Sequence, residues 1–415
     1  VQLGLARKTL MVATLASATA LLAGCSGLQA HVGLPVAMGG PSAVAATPAP
    51  AAPKLSVTTP APFGAPIQVA LSSGALTSVV VTDKVSGAAL PGTVQPGSAT
   101  WVSTELPSPG ASYKVRAVAY QSGATTDLTA AFNVTTVPSS AKIHFGMLPG
   151  DGAVVGVNAP IVIRFDHKVT NKAQVERSLH VATSVPVIGS WHWVNSSEVH
   201  FRPQTAWPAH TKVRASAELD GVAASSTRFG TRNDTVNFTV GDAHLTTVNN
   251  KTHTLTVSIN GKVTYSWPTS LGRPQYVTRT GNYIVLEKEP LREMTSCSAA
   301  ITCDKTSPQY YDLQVHWDTR LSWSGTFIHA APWSAAAQGY TDVSHGCIHL
   351  SPTRAKTYYD LAQYGDLVTV SGTGRPIDDL VSRGDPGASD WNSSWTSYVA
   401  GSAIGAAITT DPLTA

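Results

Sequence analysis

Charge is scarce in this chain: Asp, Glu, Lys and Arg make up 13% of its 415 residues, against about 25% in ordinary globular proteins. No Lys/Arg cluster or basic stripe occurs, which excludes nucleic acid as a partner class. Cysteine appears only four times and never as Cys-x-x-Cys, so the sequence holds no zinc-ribbon spacing. Long apolar runs are absent apart from Leu10 to Ala23, which is short for a span of about 20 residues. Disorder is excluded in turn, because 43% of residues are hydrophobic and the net charge is only +3. What the chain has instead is 34 Gly and 27 Pro, with abundant Val, Thr and Ser. That composition favours a mainly β, extracytoplasmic protein, and the length allows two to four domains at roughly 150 residues each.

Arg7 and Lys8 precede the apolar run, as the n-region and h-region of an export signal do. The run ends Leu22-Ala23-Gly24-Cys25, which resembles the lipobox of bacterial lipoproteins. The resemblance implies a signal peptide over residues 1–25 and a diacylated Cys25. It also implies a protein held by lipid in the cell envelope, on the outer face of the cytoplasmic membrane. An ordinary signal peptide or a membrane span is the alternative. Residues 26–54, rich in Ala, Pro and Gly, read as a tether.

From Leu55 the texture changes to short alternating segments between turn residues. Ile67–Leu71, Ser78–Val81, Tyr113–Tyr120 and Ala131–Thr135 predict a small β-sandwich over 55–138. Ile161–Phe165, Trp191–Trp193, Val199–Phe201, Val213–Ala217 and Val236–Val240 predict a second over 139–242. Two tandem immunoglobulin-like domains result, without the Cys…Trp…Cys core of antibody domains. A third, β-rich unit occupies 243–371. Thr254–Ile259, an Asn260-Gly261 hairpin turn and Val263–Trp267 open it; Asn282–Leu286 and Gly325–His329 continue it. Ser351 as N-cap, Pro352 at N1 and Gly365 as the stop predict a helix reaching about Tyr364, followed by a strand from Asp366 to Val370. The tail over 372–415 carries Trp391, Trp395 and Tyr398, which predict that it packs back, onto the third domain.

The chemistry concentrates in Ser344-His345-Gly346-Cys347-Ile348-His349-Leu350-Ser351-Pro352. A Cys between two His, just before a predicted helix, has three means of lowering a thiol pKa: an imidazole, loop amides and a helix N-terminus. Gly before the nucleophile lets successive amides converge, as an oxyanion hole requires. Metal binding by His345, Cys347 and His349 on one face of an extended segment is an alternative, as is an inert buried Cys. His144, His200 and His244 show no constellation.

The segment resembles the signature of the L,D-transpeptidases, cysteine enzymes that cross-link bacterial peptidoglycan: a His, about fifteen residues, then Ser/Thr-His-Gly-Cys. Here it runs from Phe327-Ile328-His329 to Ser344-His345-Gly346-Cys347. The wider chain resembles the mycobacterial type, with an anchor and two immunoglobulin-like modules; Gly189–Trp193 and Arg202–Trp207 look like its second module. The resemblance implies Cys347 as nucleophile, His329 as base and the Ala330 carbonyl as its orienter. It implies His345 and Gly346 at the oxyanion site, with His345 sharing proton transfer. Tyr311, Ser324 and Gly325 match positions that contact the donor peptide, and His349 stands where these enzymes usually have Asn. No metal or cofactor is implied. The implied partners are stem peptides, a donor tetrapeptide and an acceptor amine giving 3→3 cross-links, and carbapenems as acylating inhibitors. With Cys25 lipidated and Cys347 free, Cys297 and Cys303 fall in the family's active-site lid, where an oxidising compartment implies a disulfide; two reduced thiols are the alternative. An L,D-carboxypeptidase and an inactive wall-binding lipoprotein are the rival functions.

Overall fold

A computed structural model describes residues 50–94, 98–299 and 301–413. Cys25 and most of the predicted tether lie outside the described residues. Among those described, no helix is long and apolar enough to cross a membrane.

Alternation of apolar and polar residues builds the first two modules. In the first, Leu55–Val57, Gln68–Leu71, Thr100–Ser103 and Gly92–Val94 form one sheet, and Ala89–Leu90, Ala75–Asp83, Ser112–Gln121 and Ala124–Asn133 the other. Every second residue of Ser112–Gln121 points inward, so Tyr113, Val115, Ala117 and Ala119 are buried with Trp101 between the sheets. In the second module the alternating runs around Ile161, Trp191, Phe201, Trp207 and Phe238 close a larger core. Phe63 of the first module meets Phe229 of the second edge to face, 4.7 Å between centroids.

Two sheets make up the third domain. One has the order Lys262–Pro268, Thr254–Ile259, His244–Asn249, Leu367–Ser371, Gly281–Ile284. Asn260 and Gly261 join its first hairpin with φ of 50° and 82°, the left-handed pair a two-residue turn requires. The other sheet has the order Glu287–Thr295, Asp312–Arg320, Phe327–Ala330, Ile348–Leu350. Its last two strands are parallel, in a register that sets His329 beside His349. The helix Pro352–Leu361 packs on this sheet through Ala355 and Tyr358. It ends short of Tyr364: Ala362 is extended, and Tyr364 turns away to donate its hydroxyl to the Pro160 carbonyl of the second module.

The tail departs from the expectation that it packs on the third domain alone. It contains three short helices, Asp378–Ser382, Ser389–Asn392 and Trp395–Val399, and then adds Ile408–Thr409 to one sheet of the second module and Asp411–Pro412 to the other. Asn392 does bond to Asn282 of the third domain. The aromatic residues instead surround Arg202 of the second module, whose guanidinium lies 4.6 Å from the Trp391 ring centroid, 5.2 Å from Trp395 and 4.2 Å from Tyr398. Cation–π attraction is strongest where water is excluded, and Arg202 is buried.

A second polar anchor lies beside it. His200, fully buried, bonds through Nδ1 to Asp390 of the tail at 2.9 Å and through Nε2 to Glu198 at 2.8 Å. Burial works against a charged ring, but the two carboxylates overcome it and hold His200 up at about 9. An unfolded His titrates near 6.5, so this contribution is complete below that pH and fades as pH rises through about 9. The melting temperature is therefore expected to fall between about pH 7 and pH 9.5. A His200→Gln/Asp390→Asn pair should flatten that slope in thermal denaturation. An unchanged slope would remove His200 as its source.

Candidate active site

Cys347 is the one free cysteine among the described residues; Cys297 and Cys303 form a disulfide. Cys347 sits where a bend at 345–346 meets the strand Ile348–Leu350. Gly346 makes that bend at φ 122°, a conformation that side chains disfavour. The strand intervenes between Cys347 and the helix, so the helix N-terminus does not act on the thiol. The bend also breaks the extended run that would align His345, Cys347 and His349. Among the described residues no three His, Cys, Asp or Glu gather into a metal-binding group.

His329 comes from the centre of the sheet and is 2% exposed. Its Nδ1 lies 2.9 Å from the Ala330 carbonyl. A carbonyl only accepts, so Nδ1 carries the proton and Nε2 keeps its lone pair. Burial drives His329 down to about 4, the Ala330 bond offsetting only part of this. Burial and the negative charge of Asp318 push the Cys347 thiol up to about 12. Both groups therefore rest neutral, which reverses the expectation of a depressed thiol pKa.

His345 is held differently. Its ring packs 4.8 Å from both Tyr276 and Tyr311, and Arg273 donates to its Nε2 at 2.7 Å. Burial and Arg273 lower its pKa. With Nε2 accepting from Arg273, the proton of the neutral ring sits on Nδ1. Gly346, expected to turn its amide to an oxyanion, donates it to Ser344 Oγ at 3.0 Å.

Two cavities meet at Cys347. One, of about 270 Å³, includes Tyr311, Ser324, Gly325, Arg320 and the disulfide-loop residues Ser298 and Ala299. The other, of about 210 Å³, includes His329, Trp333, Val343 and His349. Tyr311, Ser324 and Gly325 thus stand together, and the Cys347 thiol contacts the Gly325 carbonyl at 3.9 Å. His349 does not join them. It is buried on the His329 side, its ring centroid 4.8 Å from that of His329 and its Nδ1 3.0 Å from Ser334 Oγ.

Other residues shape the site without a sequence signal that singles them out. Buried Asp318 accepts from Arg292 Nε at 2.5 Å, and Arg292 and Arg320 both lie over the Phe327 ring. Asp385, from the tail, accepts from the amides of Trp323 (3.2 Å), Ser324 (3.0 Å) and Gly387 (3.1 Å), which fixes the turn carrying Ser324 and Gly325. Asp385→Ala leaves those amides unpaired, at about 1–3 kcal/mol for a buried donor. We expect a lower melting temperature together with slower labelling of Cys347 by a thiol-acylating reagent. Labelling at the parent rate would show that the turn holds its shape without the carboxylate.

Residues 58–223 match the bacterial Ig domain family, and residues 244–370 match the L,D-transpeptidase catalytic domain family. L,D-transpeptidase 2 of Mycobacterium tuberculosis is 36% identical over 346 residues, covering 82% of this chain and 81% of that protein. L,D-transpeptidase 1 of the same species is 38% identical over 236 residues, covering 57% of this chain and 86% of that protein. Among solved structures, an LD transpeptidase in complex with imipenem is 37% identical, with a TM-score of 0.48 over 56% of this chain and 99% of its own. The thiol-bearing bend, the buried histidine and the immunoglobulin-like modules before them thus occur in a chain that belongs to the L,D-transpeptidase family.

Proposed function

We propose that the protein forms 3→3 cross-links in peptidoglycan through a thioester on Cys347. The observation that carries this reading is the bond from His329 Nδ1 to the Ala330 carbonyl, which leaves Nε2 as a proton acceptor in a cavity shared with the thiol. Sγ attacks the carbonyl of the third residue of a donor tetrapeptide as its proton passes to His329 Nε2. The C–N bond breaks, and the terminal D-alanine amine departs with that proton. The acceptor amine then attacks the thioester and gives a proton to His329, which returns it to Sγ. In this reading the cavity with Tyr311, Ser324 and Gly325 takes the donor and the cavity with His329 admits the acceptor amine. Because thiol and imidazole start neutral, proton transfer accompanies attack instead of preceding it. We further propose lipid attachment at Cys25, which places the enzyme at the outer face of the cytoplasmic membrane, where its substrate lies.

Mixing the protein with imipenem, which the structure of a relative contains, should add the mass of one acyl adduct to the intact chain. Cys347→Ala should abolish both the adduct and cross-linking of a tetrapeptide to an amine. Release of D-alanine with only hydrolysed product would indicate a carboxypeptidase; a Cys347→Ala chain that still transfers would remove the nucleophile assignment. His329→Ala is expected to slow acylation by roughly 10²–10⁴.

The neutral pair also predicts a pH profile. The acylation rate should be level from about pH 5 to about pH 9 and fall as His329 gains a proton near 4. A resting thiolate–imidazolium pair would give a bell centred near neutrality instead, and stopped-flow acylation across that range separates the two.

A further inference from the structure

A third cavity, of about 240 Å³, adjoins the donor side of Cys347 and has no part in the chemistry described so far. Ser324, Gly325 and His345 line both it and the cavity that holds the thiol, and Gly346 lines this one as well. Two guanidinium groups also line it, those of Arg279 and Arg375. Arg279 is held by a bidentate pair: Nε and Nη2 each donate to Asp379 at 2.6 Å. Arg375 is not. It is half exposed, its Nη2 is 3.7 Å from Asp379 Oδ2, and Nη1 makes one long bond of 3.4 Å to the Val277 carbonyl.

The local balance of charge is positive. Arg383 also approaches Asp379, at 4.0 Å, so three guanidinium groups share one carboxylate. Hydrogen bonds from Arg279, with the attraction of all three, hold that carboxyl below the usual carboxylate range. Asp378 forms an ion pair with none of them. Attack on an amide carbonyl calls for a thiol, a base and oxyanion donors, and none of these roles uses a cation cluster beyond Gly346. A cation with unspent donors at a cavity continuous with the donor groove matches an anion on the donor itself.

We infer that Arg375 is a specificity-determining residue that binds a carboxylate of the donor stem peptide in this cavity, an inference that rests on the donor reading above. A peptide donor offers that chemistry from two sources. One is the α-carboxylate of the departing residue, which lies about one residue length, 3.8 Å, beyond the scissile carbonyl. The other is a side-chain carboxylate on the residue that becomes the acyl group. A guanidinium meets either with two parallel N–H···O bonds, which an amide cannot accept in the same way.

Binding to the full chain carrying Cys347→Ala, which does not turn over, tests this by calorimetry. Three tetrapeptides serve: one with all carboxylates free, one amidated at the C-terminus and one amidated at the third side chain. Arg375→Gln should weaken the free peptide about tenfold, the scale of one charge-assisted contact. Amidating the carboxylate that Arg375 reads should cost the parent the same factor and cost Arg375→Gln nothing further, which identifies the source. Arg383→Gln, outside the cavity but in the same cluster, should stay within about twofold. Equal weakening of all three peptides by Arg375→Gln, no weakening, no binding of the free peptide, or an equal effect of Arg383→Gln would each overturn the assignment. If the wild-type chain failed to release D-alanine while binding still discriminated carboxylates, the donor reading would fall and the carboxylate site would stand.

Discussion

Two short parallel strands, Phe327–Ala330 and Ile348–Leu350, hold the site together, because they fix His329 and the root of Cys347 in one register. Parallel pairing needs a long crossover, and the segment 331–347 supplies it while carrying Trp333, Ser334 and the Ser344–Cys347 bend. The strands are buried on both faces, so the His329 ring cannot shift without disturbing the core. Thr269 and Ser270 bond to the backbone of His349 and tie this pair to the first sheet of the domain. An imidazole on a rigid strand and a thiol just outside one is an arrangement in which geometry is set by the fold itself.

Electrostatics around the thiol follow from the same burial. Asp318 is fully buried and raised to about 6, with burial as the main cause and Arg292 opposing it. Its negative charge helps keep Cys347 protonated at rest. An unreacted thiol that stays neutral is protected from oxidants and stray electrophiles, which act on the thiolate. Arg320 opposes that effect on the thiol, and Arg292 pairs with Asp318 itself. Within the catalytic domain Asp366 bonds to His244, at the start of its first strand, and toward the second module Trp391 of the tail donates to the Asn158 carbonyl.

Local pattern made much of this legible. Alternation over Ser112–Gln121 and Thr254–Ile259, the Asn260-Gly261 turn and Pro352 at a helix start are short-range signals, and the chain follows them. The spacing from His329 to Cys347 likewise announced two residues that now line one cavity. What stayed hidden was long-range. Asp385 lies 61 residues from the Ser324 amide it accepts, and Asp390 lies 190 from His200. Neither position differs in its neighbourhood from any surface Asp near a turn. The expectation of a lowered thiol pKa fails for a related reason: motif chemistry speaks of neighbours, whereas burial depends on the whole fold. Tyr364 carried a helical pattern but was drawn out of the helix by a contact with another module.

The tail strands Ile408–Thr409 and Asp411–Pro412 have a consequence for how the chain is assembled. The second module has its strands on both sides of the catalytic domain in sequence, so the catalytic domain is an insertion into it. Until residues near 410 have been synthesised, both sheets of that module present an open edge, with Ile188 and Thr183 without their eventual neighbours. Asp385, which accepts from the Trp323 and Ser324 amides, also follows the catalytic family match in sequence. A nascent or clipped chain that ends at residue 370, where the catalytic family match stops, would contain Cys347 and His329 and lack the carboxylate that pins the turn of Ser324 and Gly325.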